Sequence, residues 1–468
     1  MRKSCKEMLC EGAHVVVVGL GASGVSAVKF LLGLGVKVSV SEGGRRENLE
    51  GDLVRWLQEK GVYVETGGHT SELLTSADCV LISPGVPLGI AALMAARAKG
   101  IPVLGELALA PDFLRTPVVA VTGTNGKSTV TTLIGELLAA SGKKVFVGGN
   151  IGVPLTDYLA GDQECEVAVL EVSSYQLDSA GEFRPRVGVL LNITPDHLDR
   201  YESYDAYAAS KLSLFRRQQN GDLAVVNGDD PLLAEWLAGE GSGWGGLVQV
   251  YGRTREGGRS AWLQGGTAFV VPAGGDAGNP ERYLLAQTPF ANAPNDENVL
   301  AAILAARAMG ASAEAIAAAL AGFQPLAHRL AFVAEVDGVR YYDDSKATNI
   351  GAVFSALSGM SQPVVLIAGG RDKGASYDLL LPQVREKVRA LVLIGEAKEK
   401  IAAAFAGLCE IVFATGMVEA VETASRLARR GDVVLLSPAC ASFDMFRSYG
   451  HRGEVFCQAV QGLAGHRG

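Results

Sequence analysis

Short β-branched runs that end at a glycine turn and lead into a helical segment recur along this chain, and this alternation limits its fold more than any other feature. Residues 15–18 are four valines before Gly19, and an apolar helical pattern follows over 25–34. Residues 118–122 precede Gly123 in the same way. Strands separated by helix-length segments form parallel sheets that helices cover on both faces. The chain is therefore predicted to be an α/β protein.

The predicted strands fall into three groups, as a chain of 468 residues allows when domains average about 150 residues. The last group opens with a hairpin whose turn is Asp337-Gly338, a dipeptide that favours a two-residue turn. The other predicted strands are residues 36–40, 79–82, 167–170, 187–191, 223–226, 364–368, 391–394, 411–413 and 433–436.

Two proline-bearing segments, 111–117 and 323–325, separate these groups. We expect them to join three domains, which then span residues 1–113, 114–326 and 327–468. The glycine-rich segment 239–280 is weakly patterned, and we expect short antiparallel strands there.

Charge and cysteine usage exclude several classes of protein. Lys+Arg 42 against Asp+Glu 50 gives a net charge of −8, which argues against a general nucleic-acid binder. The seven cysteines include no C-x-x-C pair, so neither a disulfide framework nor a thiolate zinc site is indicated. There is no signal-peptide pattern and no uncharged apolar run of about 20 residues. We expect a cytoplasmic enzyme or binding protein that does not insert into membranes.

The first glycine turn, Gly19-Leu-Gly21-Ala-Ser-Gly24, lies between a strand and a helix, the context that a dinucleotide fingerprint requires. Glu42 follows the next strand, where an acidic side chain could bind a sugar hydroxyl. The motif alone leaves NAD, FAD and a UDP-sugar open, as well as a tight turn without a ligand. Ser83-Pro-Gly85-Val forms a second turn after the strand 79–82.

A phosphate loop is predicted at the second glycine turn. Gly123-Thr124-Asn125-Gly126-Lys127-Ser128-Thr129 joins a strand to a helix. Backbone N–H groups of such a loop surround phosphate oxygens, the lysine neutralises β- and γ-phosphate charge, and the serine hydroxyl can bind Mg²⁺. Val121 occupies the place of the first glycine in the usual spacing. The natural ligand is a nucleoside triphosphate.

Acidic and imidazole groups follow strands of the same sheet. Glu171 ends the strand 167–170, and Asp196-His197 follows the strand 187–191. A carboxylate and an imidazole beside a triphosphate suit one or two Mg²⁺ ions, although a lone histidine is usually structural. Lys211 lies on a predicted helix over 204–217, and its position there indicates a solvated surface charge.

Polar turns also end the strands of the third group, at 328–329, 343–349, 369–373 and 437–444. Their arginine and lysine side chains could hold phosphate or a carboxylate. Cys440 is expected to be a small buried side chain, because no histidine accompanies it in sequence.

Taken together, these motifs resemble the Mur ligase family over almost the whole chain. Six motifs occur in family order: Thr122-Gly-Thr-Asn-Gly-Lys-Ser-Thr, Glu171-Val-Ser-Ser-Tyr-Gln, Asp196-His-Leu-Asp-Arg, Asn295 with Asn298, His328-Arg329 and Asp344-Ser-Lys-Ala-Thr-Asn. The resemblance implies a Rossmann-like UDP-binding domain, a central P-loop ATPase-like domain with a mostly parallel sheet, and a Rossmann-like α/β third domain.

The resemblance also implies a role for each matching residue. The UDP substrate would be held by Ala22, Ser23, Glu42, Gly85, Asn150 and His197. ATP would contact the loop 123–129 together with Asn298, Arg329 and Asp344. Mg²⁺ would be bound by Ser128, Glu171, His197 and a carbamylated Lys211. The amino acid would lie against Lys346, Thr348, Lys373, Ser442 and Tyr449. The catalytic set would be Lys127, His197, Lys211, Lys346 and Lys373.

Two positions depart from the family pattern. Pro294 stands where members commonly have histidine before Asn295, so an adenine contact from that histidine is lost or relocated. Tyr449 stands where phenylalanine is frequent, which keeps an aromatic wall and adds a hydroxyl near the amino-acid pocket.

The activity that the resemblance implies is the ATP-dependent addition of D-glutamate to UDP-N-acetylmuramoyl-L-alanine. We expect a monomer, and because the ATP ligands lie on different domains, we expect the third domain to close on ATP. A family member specific for another amino acid is the main alternative. A nicotinamide-dependent dehydrogenase would explain the first glycine turn but leave the phosphate loop unused. A nucleotide sensor without catalysis would not need the acidic, histidine and third-domain motifs.

Overall fold

The computed structural model describes residues 4–197, 200–291, 294–374 and 376–465. These residues form three α/β units, built on sheets of five, nine and six strands. Valine and leucine runs that were predicted as buried strands lie at the centre of each sheet. The α/β prediction is therefore confirmed.

The first sheet is wholly parallel, in the order β3-β2-β1-β4-β5. Because the strand order reverses beside β1, a ligand crevice is expected at the carboxyl ends of β1 and its neighbours. The strands are β1 (His14–Val18), β2 (Lys37–Glu42), β3 (Tyr63–Thr66), β4 (Cys79–Ile82) and β5 (Val103–Gly105). The helices are α1 (Cys5–Met8), α2 (Ala22–Gly33), α3 (Gly51–Glu59), α4 (Ser71–Thr75), α5 (Ala91–Ala98) and α6 (Ala110–Phe113).

Helix α2 begins at Ala22, three residues before the apolar pattern that predicted it. The last glycine of the motif therefore lies inside its first turn. A Cβ on Gly24 would stand 1.9 Å from the Gly19 carbonyl oxygen, so only glycine allows the helix to start this close to the strand.

The second sheet has the order β14-β13-β12-β11-β10-β9-β6-β8-β7. Its strands are β6 (Val118–Thr122), β7 (Val145–Gly149), β8 (Val167–Glu171), β9 (Val187–Leu190), β10 (Leu223–Asn227), β11 (Leu247–Gly252), β12 (Ala261–Gln264), β13 (Thr267–Val270) and β14 (Glu281–Leu284). Its helices are α7 (Lys127–Ala140), α8 (Leu155–Leu159), α9 (Ser174–Leu177), α10 (Tyr204–Leu212), α11 (Pro231–Ala238), α12 (Asn295–Ala308) and α13 (Ala313–Gly322).

Two local predictions in this unit were partly wrong. The segment 239–280 is antiparallel only from β12 onward, because α11 provides a crossover that lets β11 add parallel to β10. Helix α10 ends at Leu212 instead of residue 217, since the chain tightens into a 3₁₀ turn that buries Leu214 and Phe215.

The third sheet has the order β15-β16-β20-β17-β18-β19, with only the first pair antiparallel. Asp337 and Gly338 both have positive φ, so the predicted two-residue hairpin turn is confirmed. The strands are β15 (Ala331–Val336), β16 (Val339–Asp343), β17 (Val364–Gly369), β18 (Val388–Ile394), β19 (Glu410–Phe413) and β20 (Val433–Leu436). The helices are α14 (Ile350–Ser358), α15 (Leu381–Lys387), α16 (Lys398–Ala404), α17 (Met417–Leu427) and α18 (Tyr449–Gly465).

Among the described residues, none of the helices combines the length and the apolar character needed to span a bilayer.

Candidate active site

The phosphate loop connects β6 to α7 at the carboxyl edge of the second sheet. Gly126 caps α7 with a φ of 86°, a left-handed conformation that suits glycine. A Cβ there would lie 2.6 Å from Asn298 Oδ1, so the loop passes close against α12. The N-terminus of a helix of this length offers free backbone N–H groups and a positive dipole end. This is the setting of an anion site.

Lys127 folds back over the loop. Its Nζ donates to the carbonyl oxygens of Gly123 and Thr124, both at 2.9 Å. Burial lowers the pKa of Lys127, and the nearby Glu171 carboxylate opposes that shift. A phosphate bound to the loop would give this ammonium group the negative partner that the carbonyl oxygens only partly replace.

Ser128 and Glu171 provide oxygen ligands of the kind that Mg²⁺ prefers. Ser128 Oγ donates to Glu171 Oε2 at 2.5 Å, and Asn150 Nδ2 donates to Glu171 Oε1 at 2.7 Å. The described residues contain no group of three His, Cys, Asp or Glu side chains that could hold a metal alone. Magnesium is commonly bound by one or two protein oxygens together with phosphates and water, so this sparse donor set fits it.

Lys211 is buried, with 2% of its surface exposed, which contradicts the surface charge that its helical position indicated. Its Nζ donates to the Gly123 carbonyl oxygen at 2.8 Å and lies 4.8 Å from the centre of the Tyr207 ring. Burial, followed by the charge of Lys127, lowers the pKa of Lys211 well below its ordinary value. The sequence did contain a signal, because Tyr207 and Lys211 are spaced i,i+4 on one face of α10.

Asp196 and His197 lie where the second and third units meet. Asn349 Nδ2 donates to Asp196 Oδ2 at 2.8 Å, and Lys373 Nζ lies 3.5 Å from Asp196 Oδ1. Burial raises the pKa of Asp196, but the charge of Lys373 and the hydrogen bond from Asn349 help to outweigh it, and the net shift is downward. Burial lowers the pKa of His197, so the imidazole is inclined to be neutral. The His197 ring packs 4.9 Å from the centre of Tyr175.

A cleft of about 660 Å³, including the part open to solvent, lies between the phosphate loop and the third unit. Asn298 of the second unit and Arg329 and Asp344 of the third unit, all predicted to contact ATP, line this cleft. Its walls include Asn125, Gly126, Thr129, Asn298, Arg329, Asp344 and Lys346, and Pro294 and Asn295 also face it.

Third-unit side chains at this cleft have shifted pKa values. Burial lowers the pKa of Lys346 to about 8, helped by the charge of Arg329. Burial raises the pKa of Asp344 to about 7, although the Ser437 hydroxyl donates to it at 2.9 Å. Arg329 donates to Ser128 Oγ at 2.5 Å, which connects the third unit directly to the phosphate loop.

The residues predicted to bind the amino-acid substrate do not all lie in one pocket. Lys373 lines a narrow hollow with Asp196 and His197. Lys346 Nζ lies 3.9 Å from the centre of the half-exposed Tyr449 ring, outside that hollow. Ser442 is buried, and Thr348 follows Lys346 in a turn closed by a 2.8 Å backbone hydrogen bond.

Four of the six residues predicted for the UDP substrate lie at the carboxyl edge of the first sheet, whereas Asn150 and His197 follow β7 and β9 of the second sheet. Ala22 and Ser23 begin α2, and Gly85 is exposed after β4. Glu42 accepts backbone hydrogen bonds from Leu20 at 2.6 Å and from Gly44 at 2.7 Å. The carboxylate that the sequence suggested for a sugar hydroxyl therefore also holds two turns together.

Two residues that the sequence did not single out connect the units. Arg200 donates to the carbonyl oxygens of Gly85 and Val86, both at 3.0 Å, and stacks 3.9 Å from the centre of the Tyr175 ring. Asn349 bonds Asn125 as well as Asp196. Both stand at the ends of quoted motifs, but position in a motif does not reveal which loop a side chain reaches.

Three family models match this chain. The Mur ligase MurD-like N-terminal domain matches residues 13–105, the Mur ligase middle domain matches 121–306, and the Mur ligase glutamate ligase domain matches 328–440.

Relatives of known name match nearly the whole chain. The UDP-N-acetylmuramoylalanine–D-glutamate ligase of Desulfosudis oleivorans is 47% identical over 459 residues, covering 98% of both chains. The enzyme of the same name from Pelotomaculum thermopropionicum is 45% identical, covering 96% of this chain and 97% of its own.

Solved structures share the fold at low identity. A pseudomurein peptide ligase type C from Methanothermus fervidus superposes with a TM-score of 0.58 at 18% identity, covering 97% of this chain and all of its own. A MurF ligase from Thermotoga maritima in complex with ADP gives 0.57 at 17% identity, covering 98% of this chain and 96% of its own.

Proposed function

The chain belongs to the Mur ligase family, and from that premise we propose that it is the ATP-dependent ligase that adds D-glutamate to UDP-N-acetylmuramoyl-L-alanine during peptidoglycan precursor synthesis. The observation that carries the proposal is the cleft in which the phosphate loop faces Arg329, Asp344 and Lys346. A ligase needs ATP and two further substrates in one place, and a cleft lined by two units can bring them together. A dehydrogenase would leave this cleft without a purpose.

The reaction follows from the weakness of a carboxylate as an electrophile. A carboxylate oxygen of the terminal L-alanine attacks the γ-phosphorus of ATP, forming an acyl phosphate and releasing ADP. The amine of D-glutamate then attacks the acyl carbon, and inorganic phosphate leaves from the tetrahedral intermediate as the amide forms. Phosphoryl transfer of this kind depends on positioning and charge neutralisation. Lys127 and Arg329 are the cations placed for it at the phosphate loop.

We assign Mg²⁺ to Ser128 and Glu171, with His197 and Lys211 completing the predicted set. When bound, the ion supplies positive charge to the β- and γ-phosphate oxygens. The Ser128 hydroxyl and the Glu171 carboxylate already lie within hydrogen-bond distance of each other.

We further propose that Lys211 is carbamylated. A carbamate forms on a neutral amine, and a free lysine with a pKa near 10.4 is neutral only about once in 2,500 molecules at pH 7. The burial of Lys211 beside Lys127 lowers its pKa, which supports the proposal.

The remaining roles are assigned by placement. Ala22, Ser23, Glu42 and Gly85 would bind the UDP part, and Asn150 and His197 the muramoyl part. Lys346, Thr348, Lys373, Ser442 and Tyr449 would surround D-glutamate. We place the domain boundaries after residues 113 and 326. The first sheet ends at Gly105 and the second begins at Val118, and the second ends at Leu284 and the third begins at Ala331.

The substrate assignment predicts a strict amino-acid preference. Supplied with UDP-N-acetylmuramoyl-L-alanine and ATP, the enzyme should release ADP and phosphate with D-glutamate and not with L-glutamate or L-alanine. A coupled ADP assay, with product mass as the check, measures this. Turnover with another amino acid alone would assign the chain to a different specificity within the family, and unchanged ATP with all three would reject the ligase.

The lowered pKa of Lys346 predicts that kcat/KM depends on pH. Its pKa of about 8 is lowered from 10.5, so the ammonium form is present below pH 8 and is lost above it. If that charge binds an anionic substrate group, kcat/KM should fall about tenfold between pH 7 and 9 relative to Lys346→Arg, which stays charged. The ratio of the two enzymes cancels titration of the substrates. A ratio independent of pH would contradict a role for the Lys346 charge.

Contacts between the second and third units predict closure on ATP. Arg329 reaches Ser128, Asn349 reaches Asn125, and Lys373 pairs with Asp196 across the cleft. We expect small-angle scattering to show a smaller radius of gyration with ATP and the UDP substrate than without them. An unchanged scattering curve would count against closure.

A further inference from the structure

A chain of hydrogen-bonded side chains lies beside the predicted UDP site, and the proposed reaction does not use it. Ser41 on β2 pairs in register with Glu65 on β3, so their side chains are neighbours on one face of the sheet. Ser41 Oγ donates to Glu65 Oε2 at 2.6 Å and lies 2.8 Å from His69 Nδ1. The chain thus ends at an imidazole.

Backbone hydrogen bonds fix where that imidazole lies. The loop after β3 is tied to the loop after β2, since Gly67 N–H donates to the Gly44 carbonyl oxygen at 2.8 Å. The β1 turn joins them, because Gly19 N–H donates to the Ser41 carbonyl oxygen at 2.9 Å. His69 therefore belongs to one assembly with the Gly19–Gly24 turn and Glu42.

The Nε2 side of the ring lies against Gly43, where the absence of a side chain leaves the nitrogen uncovered by a Cβ. A Cβ on Gly43 would lie 3.1 Å from His69 Nε2. Nothing lies within 4 Å of the corresponding position at Gly21 or Gly85, on the same sheet edge. Within the described part of the chain, no hydrogen bond occupies Nε2. His69 is half-buried, and its Nε2 lies beside Gly43, the residue that follows Glu42 of the proposed UDP site.

The hydrogen-bond chain also decides which ring nitrogen carries the proton. Hydrogen bonds from Ser41 and Thr70 keep the pKa of Glu65 low against the opposing effect of burial, so its carboxylate only accepts. The single Ser41 hydroxyl proton is donated to Glu65. Ser41 Oγ must therefore accept a hydrogen bond from His69, which places the histidine proton on Nδ1. Nε2 of the neutral ring is then an acceptor.

From this geometry we infer that His69 determines base specificity by accepting a hydrogen bond from the imide N3–H of the uracil ring. The inference rests on the proposed function, since that function supplies a UDP substrate. Uracil carries N3–H, whereas cytosine presents a lone pair at the same position. A hydrogen-bond acceptor at this position favours uracil and repels the N3 lone pair of cytosine. With cytosine bound, His69 Nε2 would also be left buried without a hydrogen-bond partner.

The experiment compares binding of UDP, CDP and 3-methyl-UDP to the full-length enzyme by calorimetry. The wild type should bind UDP about tenfold more tightly than CDP or 3-methyl-UDP. In His69→Ala, the three affinities should lie within about twofold of one another. Ser41→Ala, which releases the Nδ1 proton from its acceptor, should lose part of the preference. An unchanged far-ultraviolet circular dichroism spectrum and an unchanged thermal midpoint of unfolding of each variant show that the fold, including the first unit, is retained.

His14→Ala is the matched control. His14 also bonds a β2 serine, with Nε2 2.9 Å from Ser39 Oγ, but it lies at the opposite, amino-terminal edge of the same sheet. This variant should keep the wild-type preference. A tenfold preference that persists in His69→Ala, or no preference in the wild type, would overturn the inference while leaving the ligase proposal intact. A wild type that binds none of the three nucleotides would refute the UDP assignment and the inference together.

Discussion

Replacing Lys127 with alanine should reduce kcat by about 10³-fold or more. The Lys127 ammonium group stands over the phosphate loop, 2.9 Å from the Gly123 and Thr124 carbonyl oxygens, where it can neutralise the charge of a bound phosphate. In phosphoryl transfer the protein contributes mainly fixed charge, so removal of this charge acts on the transition state rather than on folding.

The measurement is ADP release at saturating substrates, together with the thermal midpoint of unfolding. Lys29→Ala is a matched control, because Lys29 is an exposed lysine on α2, a helix that also follows a glycine turn. The control should retain full activity. A Lys127→Ala enzyme with wild-type turnover would exclude the phosphate role of this residue.

Replacing Lys211 with methionine should reduce activity by about 10²-fold, the usual effect of losing a group that supports a metal site. The same change should leave the protein at least as stable, because a buried polar side chain is replaced by an apolar one of similar length, whether or not the lysine is carbamylated. Loss of activity with retained stability separates a functional role from a structural one.

Carbamylation itself is tested with ¹³C-bicarbonate. The wild type should show a carbamate carbonyl resonance that is absent from Lys211→Met, and depletion of carbon dioxide should slow only the wild type. Full activity of Lys211→Met would contradict any role in catalysis. A wild type that stays active and shows no resonance would refute the modification but not the ligase.

Much of the fold was predictable, because buried parallel strands are continuous apolar runs. Residues 15–18 and 118–122 were found this way, and β11 was not, since it lies in a glycine-rich segment without a clear apolar pattern. Short local patterns also cannot set where a helix ends. Helix α10 stopped early because tertiary packing buried Phe215.

The site was predictable in its motifs but not in its contacts. The phosphate loop and Arg329 were found as separate motifs, and the structure brings them within 2.5 Å. Lys211 looked like a surface charge, because helical position alone does not show which face is covered. His69 carried no signal at all, since its role depends on the cross-strand register of Ser41 and Glu65.

In the proposed reaction the substrate carboxylate and the γ-phosphate of ATP meet in the cleft between the phosphate loop and the third unit. The most direct test uses UDP-N-acetylmuramoyl-L-alanine labelled with ¹⁸O in its terminal carboxylate. One labelled oxygen should appear in the inorganic phosphate for each amide formed. Inorganic phosphate free of label, with amide formed at the normal rate, would contradict the acyl phosphate intermediate and the proposed reaction.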